Sequence, residues 1–427
     1  MELQEIVFSD KFSLSEGQKG IISRIIEWKD TPPVVKSGRS TFLVLSDPAV
    51  PFTGLKIKGC GYFNTQNMTA DRPLSKDPYV SHIINAPDGV KEVHYQIEVN
   101  DENELMYSIP GDRPYGAQTF KRAKLEYDVN SKLFEIWKDK IKDMPFYVPV
   151  GYAKYKDLEY KNEPLGITLL GMDVIPEVPL AAYFEARFED KGLRINQYIF
   201  TYWQNHIAPI AKNQPDYFDL LLTIKKLAFE FGRSLSFLHE YFVDHDSHLF
   251  NATVNNNTGK VIFYDLDHVI SQENMHSQKY FYYSLKDFEI GLTALTSNFM
   301  LSGLAEGIIL FEEMKQETDG YNFIESFYQG YFGILDDDLK ENANTLWERI
   351  LMFYANKVLT KDQKKHIHLV YDFCEFEREN SYIEIFNPLF AKIKNKRIDF
   401  TLEKSRHEKI VSAFLKQKSD ITKLHKM

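Results

Sequence analysis

A polar loop and a short acidic segment after it constrain this chain more than any other part of the sequence. The loop is residues 244–251, DHDSHLFN, and the acidic segment is residues 264–267, YDLD. Phosphoryl transfer needs a carboxylate near the acceptor hydroxyl and oxygen ligands for Mg²⁺. Mg²⁺ is a hard cation that binds carboxylate and carbonyl oxygens and shares its coordination with phosphates. The loop and the segment together contain side chains of these kinds.

The residues between the loop and the segment predict a β-hairpin. Thr253-Val254 and residues 260–264 flank the turn-forming sequence NNNTG at 255–259. A hairpin brings the end of its second strand back beside the start of its first strand. We therefore expect the side-chain oxygens of Asn251 and Asp265 to converge on one cation.

Both segments resemble the motifs of a known group of enzymes. Asp246-x-His248-x-x-Asn251 is similar to the D-x-H-x-x-N catalytic loop of aminoglycoside phosphotransferases, choline kinases and related members of the protein-kinase-like superfamily. Residues 232–240, GRSLSFLHE, resemble the helix before that loop. Residues 262–267, IFYDLD, resemble the hydrophobic-hydrophobic-Asp-x-Asp metal motif of the same group.

The resemblance implies a function and a role for each motif residue. It implies ATP and Mg²⁺ as cofactors and transfer of the γ-phosphoryl group to a hydroxyl of a small molecule or a protein. Asp246 would be the catalytic base, and His248 would orient the loop. Asn251 and Asp265 would bind Mg²⁺, with Asp267 in support.

Two positions depart from the pattern of the group. Asp244 stands where the group usually has His or Tyr, and His245 stands where it commonly has Gly or Arg. A second carboxylate beside Asp246 raises the pKa of one of the pair. An inactive ATP-binding scaffold and a nucleotidyltransferase (adenylylation) are therefore alternative functions. A plain surface loop and a zinc site of His245, His248 and His268 are alternative interpretations, although no His-x-x-x-His pair or Cys partner supports zinc.

A kinase-like small lobe needs a strand lysine that holds the α- and β-phosphates and a helix glutamate that holds this lysine. The strand GLKIK at residues 54–58 favours Lys56, with Lys58 on the same face as the runner-up. Glu126 in the next predicted helix is the candidate partner, and Glu135 is the alternative. An ordinary edge-strand lysine and a solvated helix glutamate are the alternatives at these positions.

Other parts of the site are indicated less directly. Ser37, Gly38 and Arg39 offer a hydroxyl, a flexible backbone and a cation to phosphates, but a plain hairpin turn explains them equally well. The adenine is expected near residues 170–174. Asp287 resembles the buried Asp that begins a helix in eukaryotic-type protein kinases and braces their catalytic loop, with a helix N-cap as the alternative.

Sequence periodicity predicts an α+β chain with a two-lobed, protein-kinase-like architecture. A helix is predicted at 117–140 from the helical spacing of Leu125, Val129, Leu133, Ile136 and Trp137. The other predicted elements are strands at 34–35, 41–45, 55–58, 91–99, 146–155 and 166–174 and a helix at 218–242. The predicted domains are an N-terminal extension (1–33), a small lobe with an insertion at about 60–115 (34–175), a larger lobe (176–300) and a helical region with a basic tail (301–427).

Composition limits the location and the partners of the chain. The net charge of −10 argues against a general nucleic-acid-binding protein, and two cysteines fit a reducing cytosol, either bacterial or that of a host cell. No signal peptide is expected at the N-terminus, and the most apolar window, 166–184, contains Asp173 and Glu177, so no membrane span is expected.

The tail at 392–427 has eleven Lys and Arg against four Asp and Glu, which fits either a solvated helix or a docking surface for an acidic partner.

Overall fold

The computed structural model is a mixed α+β chain with an antiparallel sheet and helices. It describes residues 2–27, 29–30, 40–45, 50–59, 96–99, 105–108, 117–139, 146–160, 162–172, 217–245, 247, 251–254, 260–273, 275, 280, 283–284, 287–288, 290–292, 295 and 322–356. The chain divides into two compact units. Unit 1 is Met1–His94, Ile109–Arg194 and Thr253–His268, and unit 2 is Tyr95–Ser108, Ile195–Ala252 and Val269–Met427. Residues 253–268, which the sequence groups with the larger lobe, therefore belong to unit 1.

Unit 1 contains a five-stranded antiparallel sheet. Its strands, in spatial order, are β1 (Leu3–Phe8), β6 (Val148–Tyr160), β7 (Glu163–Met172), β3 (Gly54–Lys58) and β2 (Ser40–Val44). Every residue of β3 is buried, including its two lysines. The predicted N-terminal extension contributes β1 to this sheet, since Ile6 pairs with Ala153.

Helix α1 (Glu16–Ile26) is an element that the apolar pattern alone does not predict. Ser15 caps it: the Ser15 hydroxyl accepts from the Gln18 backbone N–H at 3.3 Å, and the Gln18 side chain accepts from the Ser15 N–H at 2.9 Å. This reciprocal capping box is encoded in the sequence as Ser-x-x-Gln. The helix end is tied to the sheet because the Tyr155 hydroxyl donates to the Ile26 carbonyl at 3.0 Å.

Helix α2 (Phe120–Trp137) confirms the predicted helix at 117–140. Its start is fixed on the sheet by Thr168 of β7, whose hydroxyl donates to the Ala123 carbonyl at 3.1 Å. The Gln118 amide donates to the Thr168 hydroxyl at 2.7 Å and to the Lys58 carbonyl at 3.2 Å. The first turn of α2, strand β7 and the end of β3 are thus joined by one hydrogen-bonded network.

The buried face of α2 differs from the predicted apolar stripe. Leu125 and Ile136 are exposed, although their spacing places them in the predicted stripe. The buried positions are Ala123, Glu126, Val129, Asn130, Leu133 and Phe134. Tertiary packing overrides the apolar pattern here because the buried stripe includes a carboxylate and an amide, which periodicity counts as solvent-facing. A glutamate on the core face requires a partner.

Residue 59 requires glycine. Gly59 has φ +95 and follows Lys58 directly. A Cβ atom at this position would overlap the Gly166 carbonyl oxygen of β7 and the Gln118 side chain. The left-handed backbone and the close approach both exclude a side chain, so the chain turns immediately after the lysine.

The two strands of the predicted hairpin are paired. Strand β9 (Ala252–Val254) pairs with β10 (Val261–Phe263) in a two-stranded sheet. Asp265 follows β10 and has φ +67, one of three non-glycine residues with positive φ in the described part of the chain. Asp tolerates this backbone conformation better than most residues, and such outliers are frequent at functional sites.

Unit 2 is built mainly from helices. Its described elements are α3 (Tyr217–His239), α4 (Ile324–Phe332), α5 (Asp337–Asn356), the pair β8 (Phe242–Val243) and β11 (Ile270–Ser271), and the pair β4 (Gln96–Val99) and β5 (Leu105–Ser108). Helices α3 and α4 pack closely where Gly232 and Gly330 lie, since a Cβ on either would overlap a backbone carbonyl of the other helix. Among the described helices, none combines the length and apolarity needed to cross a membrane.

Candidate functional site

A buried lysine is the centre of the candidate site in unit 1. The Lys58 side chain is 2% exposed, and its ammonium lies 3.0 Å from both carboxylate oxygens of Glu126. The same ammonium contacts Asp265 and lies 3.5 Å from Asp267. One ammonium is therefore shared by three carboxylates from a helix and from the segment after β10.

The structure corrects the preference for Lys56 as the partner of the helix glutamate. The Lys56 ammonium lies 4.5 Å from the ring centre of Tyr264 and 5.6 Å from that of Tyr147, and these two rings are stacked. Both lysines are on one face of β3, so strand alternation alone does not distinguish them. The position of α2 decides which lysine contacts Glu126. Lys58 lies opposite Thr168 in the neighbouring strand, and the Thr168 hydroxyl bonds the helix turn that precedes Glu126.

Glu126 is fully enclosed, and Glu135 is at the surface. Burial raises the pKa of the Glu126 carboxyl, Lys58 opposes this, and the nearby Asp267 and Asp265 raise it further. Glu135 instead pairs with Lys11 and, at 3.5 Å, with Lys138. The hydrogen bond from Lys11 lowers the pKa of Glu135. The described contacts therefore assign Glu126, and not the alternative Glu135, to the strand lysine.

The two aspartates after β10 differ in exposure. The Asp265 side chain is 20% exposed, whereas that of Asp267 is 0% exposed. Asp267 also contacts the ring of His268 at 3.0 Å and the guanidinium of Arg122 at 3.9 Å. Asp265 is therefore the carboxylate of this cluster that a ligand from solvent can reach.

The carboxylates around Lys58 are of a kind that could bind a Mg²⁺ ion coordinated by nucleotide phosphates. Three carboxylates surround the single ammonium of Lys58, so a further cation lowers their mutual repulsion. Within the described residues, no group of three or more His, Cys, Asp or Glu side chains forms a complete metal site. Mg²⁺ does not require one, because it is usually held by one or two carboxylates together with substrate phosphates and water.

A second buried cluster lies in unit 2 and surrounds Asp287. One Asp287 oxygen accepts the backbone N–H of His245 at 2.9 Å and lies 3.2 Å from Nε2 of His239. His239 Nδ1 lies 2.6 Å from the Tyr331 hydroxyl. The sequence predicts that Asp287 braces the loop at 244–251, and the hydrogen bond to His245 is a contact of this kind.

The ionisation of this cluster follows from its hydrogen bonds. Burial raises the pKa of Asp287, but the hydrogen bond and charge of His239 and the contacts with His245 outweigh it, so the net direction is down. Burial raises the pKa of Tyr331 well above its ordinary value, so the hydroxyl keeps its proton. The Tyr331 hydroxyl and the Asp287 carboxylate thus contact the two ring nitrogens of His239.

We expect Asp287→Asn to destabilise the chain by about 2 kcal/mol, because hydrogen bonds to a charged acceptor are stronger than those to an amide. The pKa of Asp287 is lowered by folding, so its contribution is present above the ordinary value of 3.8 and is lost as the pH falls through the folded value. The difference in denaturant midpoint between wild type and Asp287→Asn should therefore be largest at pH 7 and should shrink below pH ~4. Glu348→Gln, at an exposed position of α5, is the control and should change little. A gap that stays the same at low pH would contradict the assignment.

Several predicted site residues lie outside the described residues or away from the Lys58 cluster. Asp246, His248, Ser37, Gly38 and Arg39 lie outside the described residues, as do 173–174 of the predicted adenine segment and the basic tail. Asn251 is buried, directly precedes β9 and belongs to unit 2. Its convergence with Asp265 stays a prediction. Of the alternative zinc ligands, His245 contacts Ser247 at 3.0 Å, and His268 contacts Asp267.

Arg122, His239 and Tyr331 take part in these clusters, and neither apolar periodicity nor the motif resemblance selects them. Arg122 precedes Glu126 by one helical turn, a spacing that places the two on the same side of α2. His239 lies in the helix segment, 232–240, that resembles the one before the catalytic loop. No comparable local signal marks Tyr331, because its role depends on the packing of α4 against α3.

In comparisons with known proteins, no family model and no curated protein sequence matches this chain.

Proposed function

We propose that this chain is an ATP- and Mg²⁺-dependent phosphotransferase with a two-lobed, protein-kinase-like fold. The observation that carries the proposal is the contact of one buried strand lysine, Lys58, with Glu126 of a helix and with Asp265. In protein kinases, a strand lysine paired with a helix glutamate and an aspartate that holds Mg²⁺ are both required for phosphoryl transfer. The D-x-H-x-x-N resemblance at 246–251 supports the same reaction independently.

Lys58 would bind the α- and β-phosphates of the nucleotide. Its ammonium is enclosed and has three carboxylate partners, which fix its direction. Glu126 keeps this ammonium in place and is itself shielded from solvent. A fixed cation at the phosphates stabilises the charge that develops during transfer without reorganisation.

Asp265 would hold Mg²⁺, and the sequence assigns Asn251 as a second ligand. The metal ion, when bound, supplies charge neutralisation and in-line alignment of the transferred phosphoryl group. Asp265 suits this role because its carboxylate is the exposed one of the cluster and its backbone is held at positive φ. Asp267 holds the cations around it and would support the site rather than face the ligand.

Asp246 would accept the proton of the attacking hydroxyl, as the resemblance implies. The brace from Asp287 to the backbone of His245, the residue before Asp246, would limit the motion of this loop in unit 2. The acceptor would be a hydroxyl of a small molecule or of a protein. The D-x-H-x-x-N loop is typical of enzymes with small-molecule acceptors, whereas a buried aspartate like Asp287 is typical of protein kinases.

Labelled ATP tests the proposal. The purified chain is incubated with Mg²⁺ and with γ-labelled or α-labelled ATP, with a panel of small-molecule and protein hydroxyl acceptors. Transfer of the γ label alone is the expected result. Transfer of the α label would replace the proposal with nucleotidyl transfer, and tight ATP binding with no transfer would replace it with an inactive scaffold. Absence of any nucleotide binding would overturn it.

A further inference from the structure

Arg122 lies beside the Lys58 cluster and has the more exposed side chain. It belongs to the first turn of α2, one helical turn before Glu126. Its side chain is 26% exposed, against 2% for Lys58. Part of the Arg122 side chain therefore reaches solvent, although its guanidinium nitrogen nearest Asp267 is enclosed.

Asp267 connects the two cations. Its carboxylate oxygen Oδ2 lies 3.5 Å from the Lys58 ammonium and 3.9 Å from a terminal guanidinium nitrogen of Arg122. Its other oxygen, Oδ1, lies 3.0 Å from Nδ1 of His268. Asp267 is fully enclosed, and the same carboxylate oxygen therefore lies near both Lys58 and Arg122.

The location of Arg122 is unfavourable for a helix on its own. The positive end of the helix macrodipole lies at the N-terminal turn, where a cation is disfavoured. This turn of α2 contains no acidic residue, and Thr119 makes no side-chain capping hydrogen bond. A residue that destabilises its own helix is frequently retained because it has a functional role.

We propose that Arg122 is a second phosphate-binding residue, which acts on the polyphosphate chain beside Lys58, and that Asp267 is the positioning residue that aims it. Guanidinium binds phosphate oxygens through two parallel hydrogen bonds, which adds directional selectivity to charge. The ligand class is a nucleoside polyphosphate, recognised by its phosphates and not by its base. This inference rests on the proposed function, since it assigns a residue to the same nucleotide site.

Nucleotide titration of the full-length chain in EDTA separates phosphate binding from metal binding. Wild type, Arg122→Gln and Arg122→Lys are titrated with ATP and with adenosine by calorimetry. We expect Arg122→Gln to weaken ATP binding about 10- to 100-fold, since a charge-assisted hydrogen bond is lost, and to change adenosine binding less than about twofold. Arg122→Lys should retain part of the affinity. Lys124→Gln removes a cation from the same helix, where Lys124 pairs with Asp128 at 2.5 Å, and should behave as wild type.

Asp267→Asn tests the positioning role by the sign of its effect. Removal of a negative charge near a phosphate site strengthens phosphate binding by simple electrostatics. If Asp267 aims Arg122 and Lys58, the variant should instead lose ATP affinity in EDTA while its adenosine affinity stays within about twofold of wild type. Stronger ATP binding would overturn the positioning role.

Two results would separate failure of the inference from failure of the proposed function. Equal ATP affinity of Arg122→Gln and wild type, or equal losses for ATP and adenosine, would overturn the role of Arg122 while the nucleotide site stands. No ATP binding by wild type, with or without Mg²⁺, would overturn the proposed function itself.

Discussion

Asp265→Asn is expected to lower metal-dependent phosphoryl transfer roughly a thousandfold, since a metal ligand contributes several kcal/mol of charge stabilisation in the transition state. The substitution keeps the shape of the side chain and removes the charge that Mg²⁺ needs. The fold should persist, because Lys58 keeps Glu126 and Asp267 as partners. Initial rates at increasing Mg²⁺ concentration and a thermal melt measure the two expectations separately.

The control for this variant is another aspartate of unit 1. Asp157 is exposed and lies on β6, so Asp157→Asn removes the same charge away from the cluster. It should leave both the rate and the melting temperature close to those of wild type. Full activity of Asp265→Asn would contradict the assignment of the metal ligand, and equal loss in both variants would point to a general effect of charge.

The sequence predicts the elements of unit 1 better than the choice of side chains within them. Strand 55–58, helix 117–140 and the hairpin after residue 251 are predicted because their turn residues and periodicity are local signals. The lysine is harder to choose, because residues 56 and 58 alternate onto one face and only the tertiary position of α2 decides between them. The sequence favours Lys56 and ranks Lys58 second, whereas the structure places Lys58 against Glu126.

Burial of charge is the physical reason that the buried face of α2 differs from the predicted apolar stripe. Helix α2 buries Glu126 and Asn130 and exposes Leu125, so its core face is not its most apolar face. The sequence rule that places glutamate in solvent is overridden because Lys58 supplies a buried partner. Helix α1, in contrast, is predictable: Ser15 and Gln18 form a capping box, a signal that the sequence carries locally.

Lys58→Met is the substitution with the largest expected effect on stability. It leaves the carboxylates of Glu126, Asp265 and Asp267 without the ammonium that they share. Removal of one partner from a buried ion pair typically costs about 3–5 kcal/mol, because the remaining charge is enclosed and uncompensated. Lys156→Met, at an exposed position paired with Glu2, is the matched control and should unfold at nearly the wild-type denaturant concentration.

The pH dependence of this loss has a definite sign. Folding raises the pKa of Glu126 above its ordinary value of 4.5 chiefly through burial, and loss of Lys58 removes the opposing influence of the ammonium. A carboxyl whose folded pKa is raised contributes stability that is full below its unfolded pKa and is lost as the pH rises through its folded pKa. Lys58→Met should therefore be most destabilised at neutral pH and recover toward wild type as the pH is lowered toward ~4.5.

A double substitution isolates the pair. Glu126→Gln removes one of the carboxylates that Lys58→Met leaves uncompensated, so the double variant should be more stable than the sum of the two single losses predicts, by about 1–3 kcal/mol. Denaturant unfolding of the four proteins at pH 7 gives this coupling free energy. Additive losses would show that Lys58 and Glu126 do not stabilise each other, and the buried lysine would then lack the partner that the proposed nucleotide site requires.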